Sequence, residues 1–406
     1  MTTIINLDNY LLLNTDNLTS IKIDIDISQE ALDIFLSKRF PNLTTLICCD
    51  VKWLSSLPEL PVLTKLECNR CPILRSISVL PNLTKLRCSY CTGLTEIPVL
   101  PRLTFLDCSG CIRLTYIPEL PNLKTLSCNN CDGLTSISRL PNLNNLYCDR
   151  CEHLTIITKL PGLTYLDCNW CTRLLEISEL PVLNSLNCIK CNGLSQLQVF
   201  PNLTELNCGE CDGLTSIPRL PNLNMLHCSG CVGLTSMPDL PKLTALACCR
   251  CVRLVSLPIL PNINMLFCDE CSGLTNIPSL PNLHRLDCTG CSMLESIPVL
   301  PHLEYIKYST GIVTPHTIPL RFLKSIDTET LTKALQYNPN NINSVFSCNA
   351  ISSDTLNNTL DTLLYTLLEY LEYADSDTTS RLEELCYKNN ISFPILVKPA
   401  SRQIKN

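Results

Sequence analysis

The chain has 406 residues, of which 31 are Lys or Arg and 37 are Asp or Glu, and its formal net charge is −6. The basic residues are dispersed, which argues against a nucleic-acid-binding protein because such proteins concentrate positive charge on one surface. The sequence has no run of about 20 apolar residues that would span a membrane, and its start lacks the features of a secretory signal peptide. We therefore expect a cytoplasmic protein, not secreted, that binds neither nucleic acid nor membrane.

Residues 1–40 precede the repeated part of the chain and are expected to form a cap of one strand and one helix. Residues 21–27 alternate isoleucine with polar residues, as a half-buried strand does. Ser28 can cap a short helix that extends to about Lys38.

A twenty-residue unit then repeats without a gap from Pro41 onward, and it reads PNLTKLRCSYCTGLTEIPVL over residues 81–100. We call each unit a turn and number its positions 1–20 from the opening proline. Positions 3, 6, 8, 11, 14, 17 and 20 stay apolar, whereas the positions between them vary in charge and size. A fixed period of this length is typical of a solenoid, in which the constant positions form a stacked core and the variable ones its surface.

The pattern also predicts the local structure of each turn. Positions 6 to 8, such as residues 86–88, alternate apolar and exposed side chains, so they form a strand with one buried face. Pro98 and Pro101 exclude a helix on the return path, because each lacks an N–H and restricts the residue before it. We expect a mostly β member of the α/β solenoids: right-handed, with one parallel sheet on the concave side, an extended or polyproline-like convex side, and about 13 turns over residues 41–306.

The pattern L-x-x-L-x-C-x-x-C-x-x-L resembles the leucine-rich repeat family, and the Ile-Pro-x-Leu-Pro part is similar to the short repeats of secreted bacterial leucine-rich repeat effectors. The paired cysteines and the Ile- and Asn-rich ends of the chain resemble most closely the leucine-rich repeat proteins of giant DNA viruses such as mimivirus. The resemblance covers about residues 41–306. It implies a scaffold that binds a protein partner, which would be a host protein if the chain is viral.

The repeat pattern fades at its C-terminal end. The last strand-like segment reaches Tyr308, and Gly311 stands where a second cysteine belongs. Helical patterns follow, and the longest carries a stripe of leucines over residues 356–371. We expect residues 307–406 to form a helical region that acts either as a cap or as a small docking module.

Cysteine is the most unusual component of the composition. Of 29 cysteines, 24 form the Cys-x-x-Cys pairs of the twelve turns from Pro61 to Leu300. Two neighbouring pairs match the spacing of a zinc site. However, both cysteines of a turn occupy positions expected to point inward, and the sequence has no forty-residue alternation that would pair the turns. Four buried thiolates without a nearby cation would also be costly. We therefore predict core thiols, with no metal and no disulfide.

The sequence contains no recognisable catalytic constellation. It has no P-loop, no G-x-S-x-G and no H-E-x-x-H motif. Cys348 and Cys386 do not match the Cys-x-Asp nucleophile motif of ubiquitin-ligase effectors. Asp107, Asp167 and Asp287 recur on the predicted sheet face and are interpreted as solvated surface rather than an acid–base pair. We expect a protein that is not an enzyme and has no cofactor.

Three kinds of non-enzymatic function remain open. The first is a scaffold that binds a protein partner of unknown identity on the concave sheet face. The second is an adaptor that also docks a second partner, such as a ubiquitin-ligase subunit, through its terminal regions. The third is a purely structural component without a selective partner.

A candidate binding site follows from positions 5 and 7, which flank the second leucine and face outward from the sheet. Three consecutive turns carry mostly apolar residues there, with polar pairs on either side (Glu205 and Asn207 before, Arg285 and Asp287 after). An apolar patch with a polar rim is typical of an interaction surface. The predicted partner-binding residues are Met225, His227, Ala245, Ala247, Met265 and Phe267.

Overall fold

A computed structural model describes residues 3–5, 15–23, 30, 34, 40–57, 59–294, 297–298, 300 and 302–308. The chain divides into two compact units, Met1–Lys242 and Leu243–Asn406. The predicted helices beyond residue 308 lie outside the described residues, and so does the predicted helix over residues 28–38 apart from residues 30 and 34. Among the described residues, no helix is long and apolar enough to cross a membrane.

In the described part of the first unit, the regular elements are short strands and one 3-10 turn at Thr15–Asn17. In chain order the strands are β1 Thr3–Ile5, β2 Ser20–Ile23, β3 Thr45–Ile47, β4 Lys65–Glu67, β5 Lys85–Arg87, β6 Phe105–Asp107, β7 Tyr116–Ile117, β8 Thr125–Ser127, β9 Ser136–Ile137, β10 Asn145–Tyr147, β11 Ile156–Ile157, β12 Tyr165–Asp167, β13 Glu176–Ile177, β14 Ser185–Asn187, β15 Glu205–Asn207 and β16 Met225–His227. All except β7, β9, β11 and β13 belong to one main sheet, in chain order.

The described part of the second unit contains four strands: β17 Ala245–Ala247, β18 Met265–Phe267, β19 Arg285–Cys288 and β20 Tyr305–Tyr308. They pair in parallel and in chain order. In both units the repeat pairs residues twenty apart, as Leu66 with Leu86 and Leu246 with Leu266. The predicted parallel solenoid is therefore confirmed.

The three-residue strands of the main sheet from β3 to β18 each have one buried and two outward-facing side chains. In β5 the side chain of Leu86 is fully buried, while Lys85 and Arg87 on either side of it are partly exposed. The threonine at position 4 supports the stacking, because its hydroxyl donates to the carbonyl oxygen of the same position one turn earlier (Thr84 to Thr64, 3.0 Å). The asparagine at position 2 donates to the carbonyl of the preceding turn's first residue in the same way (Asn82 to Pro61, 2.7 Å).

The return path is extended and free of helix in the described residues, as the prolines predict. It also contains two short parallel pairs, β7 with β9 and β11 with β13, which the sequence analysis did not predict. Position 18 is not proline in the turns that hold β9, β11 and β13, so an N–H is present, but Ser78 and Gln198 stand at the same position without such a strand. The missing proline therefore permits these pairs without determining them. The N–H of Ser178, for example, donates to the carbonyl of Ile157 at 2.9 Å.

The core consists of columns of identical side chains, and the seven apolar positions of a typical turn are buried. Glycine at position 13 lets neighbouring turns approach closely. A Cβ atom on Gly93 would lie 2.5 Å from the carbonyl oxygen of Pro72, which is closer than real Cβ contacts. In the first turn Val51 replaces the second cysteine and is also fully buried.

Candidate interaction surface

The side chains at positions 5 and 7 form the outward face of the main sheet, which we call the sheet face. Met225 and His227 lie on β16, at the end of the first unit's sheet, and both are exposed. They are paired in register with Glu205 and Asn207 of β15. The prediction that these two side chains face outward beside a polar pair is consistent with this placement.

The other four predicted residues lie together on the second unit. Ala245 is paired with Met265, and Ala247 with Phe267, so the four side chains form one apolar group on β17 and β18. All four are partly exposed. We call this group the apolar strip. The structure thus brings four of the six predicted residues together and places the remaining two on the first unit.

The apolar strip combines small and large side chains. Ala247 is the register partner of Phe267, so a small side chain stands across from the aromatic one on the neighbouring strand. The backbone beneath is fixed, because the Phe267 carbonyl accepts the N–H of Cys248 at 2.8 Å. A rigidly held aromatic ring beside small residues is suited to receive an apolar side chain of a partner.

The rim of the apolar strip is charged and partly pre-organised. Arg285 and Asp287 on β19 are paired with Met265 and Phe267. The Asp287 carboxylate accepts the Thr289 hydroxyl at 2.8 Å and the Thr289 N–H at 3.1 Å. The Arg285 side chain is exposed and extends the rim toward solvent.

The sheet face of the first unit holds aromatic contacts that sequence reasoning missed. The rings of Tyr147 and Tyr165 lie diagonally across β10 and β12, with centroids 5.2 Å apart. The Phe105 ring on β6 has the Lys85 ammonium 5.0 Å and the Arg87 guanidinium 5.4 Å from its centroid. These contacts could have been anticipated from the twenty-residue period, because it makes these side chains neighbours across adjacent strands.

A second column of contacts runs along position 10, three residues beyond the C-terminal ends of the three-residue strands. Residues at this position adopt a left-handed backbone conformation, although only three of the thirteen are glycine. Trp170 has the Arg150 guanidinium 5.2 Å and the Lys190 ammonium 3.8 Å from its ring centroid. Such cation–π contacts offset part of the conformational cost of a left-handed non-glycine residue.

Carboxylates on the sheet face of the first unit are held locally rather than arranged in facing pairs. Asp107 accepts the Ser109 hydroxyl at 2.9 Å. Asp167 accepts the N–H of Asn169 at 3.4 Å, and burial raises its pKa. Burial likewise raises the pKa of Asp149, which lies at position 9, just beyond strand β10. These side chains offer hydrogen-bond acceptors and negative charge to a ligand, and Asp107 and Asp167 are each anchored by their own loop.

The paired cysteines form a hydrogen-bonded ladder inside the sheet. The thiol of the second cysteine of a turn donates to the backbone carbonyl of the first cysteine one turn earlier, as Cys91 does to Cys68 at 2.9 Å. Eleven such bonds, 2.9–3.2 Å long, recur along the described turns. The bond needs a protonated thiol, and the hydrogen bond with the Cys91 thiol together with burial raises the pKa of the donor Cys71. None of the described cysteines is in a disulfide.

The described residues contain no group of three or more His, Cys, Asp or Glu side chains arranged to hold a metal ion. The hydrogen bonds of the cysteine pairs also disfavour metal binding. A thiol that donates its proton to a carbonyl is not available as a thiolate ligand unless the ladder is broken.

Comparison with known proteins gives only distant similarities. No protein-family model matches the chain, and no curated protein matches it. Similar solved structures include a leucine-rich repeat protein from Bacteroides ovatus (17% identity, covering 72% of this chain and 84% of that one, TM-score 0.36). They also include YopM from Yersinia enterocolitica (21%, 75% and 83%, TM-score 0.37) and a leucine-rich repeat protein of Leptospira interrogans (18%, 68% and 84%, TM-score 0.25). The fold described above rests on the repeat and its strand register, to which these scores add nothing.

Proposed function

We propose that this protein is a non-enzymatic scaffold that binds a protein partner on its sheet face. The observation that carries the proposal is the apolar strip: Ala245, Ala247, Met265 and Phe267 lie together, partly exposed, on a rigid sheet with a charged rim. An apolar centre with a polar rim is the usual composition of a protein interface. Met225 and His227 extend the same kind of surface on the first unit.

The test is capture of partners by tagged full-length protein, compared between variants of the apolar strip and matched controls. Phe267→Ala should cost about 1–3 kcal/mol of affinity if the ring is an anchor, because truncating a central aromatic residue removes most of its contact energy. Ala247→Arg should block docking by bulk and by burial of a charge. Both variants should fold, since the two side chains are partly exposed.

Two controls on the second unit make the same chemical changes away from the sheet face. Ile259→Ala removes an apolar side chain that is 71% exposed on the return path, and Val252→Arg adds a charge at an exposed turn position. These controls should retain every partner of the wild type. If Phe267→Ala and Ala247→Arg also retain every partner, the proposed site is wrong.

An adaptor is the second candidate function, and a feature of the sequence favours it. Residues 309–406 lack the repeat and carry the leucine stripe over residues 356–371. In this proposal the terminal regions, 1–40 and 307–406, act as caps or dock a second partner such as a ubiquitin-ligase subunit. Truncation after Tyr308 should then remove some captured partners and leave those that depend on Phe267.

The setting in which the scaffold acts is also a proposal. The buried, protonated thiols suit a reducing compartment, so we place the protein in the cytoplasm. If the resemblance to giant-virus proteins reflects the source of the chain, the partner on the sheet face is a host protein. Proteins captured from infected host cells should then include a host protein whose retention depends on Phe267.

A further inference from the structure

The sheet face of the first unit is polarised in charge along the order of its strands. On β2 to β5 the outward side chains comprise four cations and one carboxylate, a net charge of +3 (Lys22, Lys65, Lys85 and Arg87 against Glu67). On the main-sheet strands from β6 to β16 they comprise three carboxylates and no Lys or Arg, a net charge of −3 (Asp107, Asp167 and Glu205).

The cationic end is only partly neutralised from within. Glu67 lies 3.0 Å from the Lys65 ammonium and 3.7 Å from the Arg87 guanidinium, so one carboxylate serves two cations. Lys85 lies over the Phe105 ring, which attracts a cation without neutralising it. The Nε atom of Arg87 is buried without a hydrogen-bond partner among the described residues. Positive charge is therefore available to a partner at β4 and β5.

The anionic end has the complementary character. Neither Asp167 nor Glu205 is in an ion pair with a described residue, and the Glu205 side chain is exposed. Tyr147 on β10 is the register partner of Asp167, and its ring centroid lies 5.2 Å from that of Tyr165 on β12. Carboxylates next to aromatic rings suit a guanidinium group, which can form hydrogen bonds with the acids and stack on the rings.

We propose that the sheet face of the first unit binds an extended protein segment whose acidic residues lie on Lys85 and Arg87 and whose basic residues lie on Asp167 and Glu205. The proposal rests on the proposed scaffold function and names the chemistry of the partner. Four strand spacings separate β5 from β12. At about 4.8 Å each they span about 19 Å, which an extended chain covers with about six residues. The matching segment therefore has acidic and basic clusters separated by about six uncharged residues.

The proposal is tested by measuring the affinity of synthetic peptides for the full-length chain by fluorescence anisotropy. The first peptide carries glutamates at one end, arginines at the other and about six uncharged residues between them. The second has the same composition with the charges interleaved. The segregated peptide should bind at least about tenfold more tightly, and its affinity should fall as salt is raised because exposed charges are screened.

Charge-reversal variants locate the site. Lys85→Glu with Arg87→Glu should weaken the segregated peptide by about tenfold or more and should bind a peptide with arginines at both ends more tightly than the wild type does. Glu205→Lys should weaken the segregated peptide at the other end. The control is Arg139→Glu with Lys159→Glu, the same charge change at exposed positions of the return path, which should leave binding unchanged.

Several outcomes would overturn the proposal. The first is equal affinity for the segregated and interleaved peptides. The second is an all-acidic peptide that binds as tightly as the segregated peptide, and the third is a single-stranded oligonucleotide that binds more tightly than the segregated peptide. The last two would identify β2 to β5 as an isolated basic patch. Because the scaffold function is tested with Phe267 and Ala247 on the second unit, its failure and that of the charge proposal are distinguishable.

Discussion

The thiol of Cys171 donates a hydrogen bond to the backbone carbonyl of Cys148, 3.1 Å away in the preceding turn. Both cysteines are fully buried. The bond satisfies a carbonyl that points into the core, where an unpaired acceptor would be costly. Cysteine at position 11 therefore acts both as a small apolar side chain and as a hydrogen-bond donor, which explains why it recurs there.

Substitutions at Cys171 should separate these two roles. Cys171→Ala removes the donor and leaves the Cys148 carbonyl without the thiol, so the free energy of unfolding should fall by about 1–3 kcal/mol. Cys171→Ser keeps a donor at that place and should cost less. The comparison is made by urea denaturation of the full chain under reducing conditions.

The first cysteine of the same turn supplies a matched control. The Cys191 thiol donates to the backbone carbonyl of Cys168 at 3.0 Å. Because the acceptor belongs to the backbone, this bond survives a change of the Cys168 side chain. Cys168 is not a donor of the ladder, so Cys168→Ser gains no ladder bond and leaves its hydroxyl only the Cys191 thiol as a partner. It should be more destabilising than Cys171→Ser. Equal effects of serine at the two positions would contradict a specific donor role for Cys171.

Alkaline pH should destabilise the protein steeply. Burial raises the pKa of Cys48, and the hydrogen bond with the Cys111 thiol together with burial raises the pKa of Cys88. A thiol whose pKa is raised in the folded state stabilises fully below its unfolded pKa, which is about 8.5, and that stability is lost as the pH rises toward the folded value. The unfolded chain binds fewer protons in this window, so the free energy of unfolding falls.

Each such thiol contributes a slope of about 1.4 kcal/mol per pH unit above pH 8.5. Urea midpoints measured between pH 7 and pH 10 with a reducing agent should therefore drop sharply above pH 8.5. Replacing Cys88 by serine, which does not ionise in this range, should reduce the slope. A flat profile would mean that the buried thiols ionise in the folded protein as easily as in the unfolded one.

Thiol labelling should distinguish the core cysteines from two others. Cys49 and Cys249 lie outside the Cys-x-x-Cys pairs and are only partly buried, whereas the paired cysteines are fully buried. In a chain with Cys348→Ser and Cys386→Ser, a maleimide should label about two thiols quickly and the rest only after denaturation. Burial raises the pKa of Cys49, so its labelling should accelerate as pH rises above 8.

Removing Cys49 and Cys249 by serine substitution should abolish the fast phase and leave the slow phase unchanged. Rapid labelling of many thiols in the native protein would instead show that the cysteine columns open readily. In that case the ladder would contribute little to stability.

The strict period explains why so much of the fold could be predicted. Because every turn has twenty residues, Leu66 must lie beside Leu86, and one turn determines the strand, the core positions and the parallel pairing of all the others. The short pairs on the return path were missed because a residue other than proline at position 18 permits them without requiring them: Ser178 donates its N–H to Ile157, whereas Ser78 at the same position lies outside any strand. The thiol ladder was missed because it joins residues 23 apart, a spacing that follows from the three-dimensional stacking rather than from the repeat itself.

The candidate site was predictable to a similar extent. Register alone places Ala245 beside Met265 and Ala247 beside Phe267. The division of the chain after Lys242, which assigns Met225 and His227 to the first unit, has no signal in the sequence because the repeat continues in phase through residue 242. The contacts of Tyr147 with Tyr165 depend on side-chain conformations that the period does not determine.

Glycine positions offer the last test, since the repeat contains glycines with opposite roles. A Cβ atom on Gly93 would lie 2.5 Å from the Pro72 carbonyl, whereas one on Gly162 would lie 3.3 Å from the carbonyls of Leu143 and Pro141. Gly93→Ala should therefore push two backbones apart and destabilise the protein by about 1–3 kcal/mol.

Gly162 occupies position 2, where Asn142 of the preceding turn donates to the Pro121 carbonyl at 2.7 Å. Gly162→Asn should add the equivalent bond to Pro141 and reduce the freedom of the unfolded chain, raising the free energy of unfolding by about 0.5–1 kcal/mol. The free energies of unfolding of both variants are measured by urea denaturation and compared with the wild type. A destabilised Gly162→Asn would show that an asparagine at position 2 of this turn cannot form the bond that Asn142 forms in the turn before.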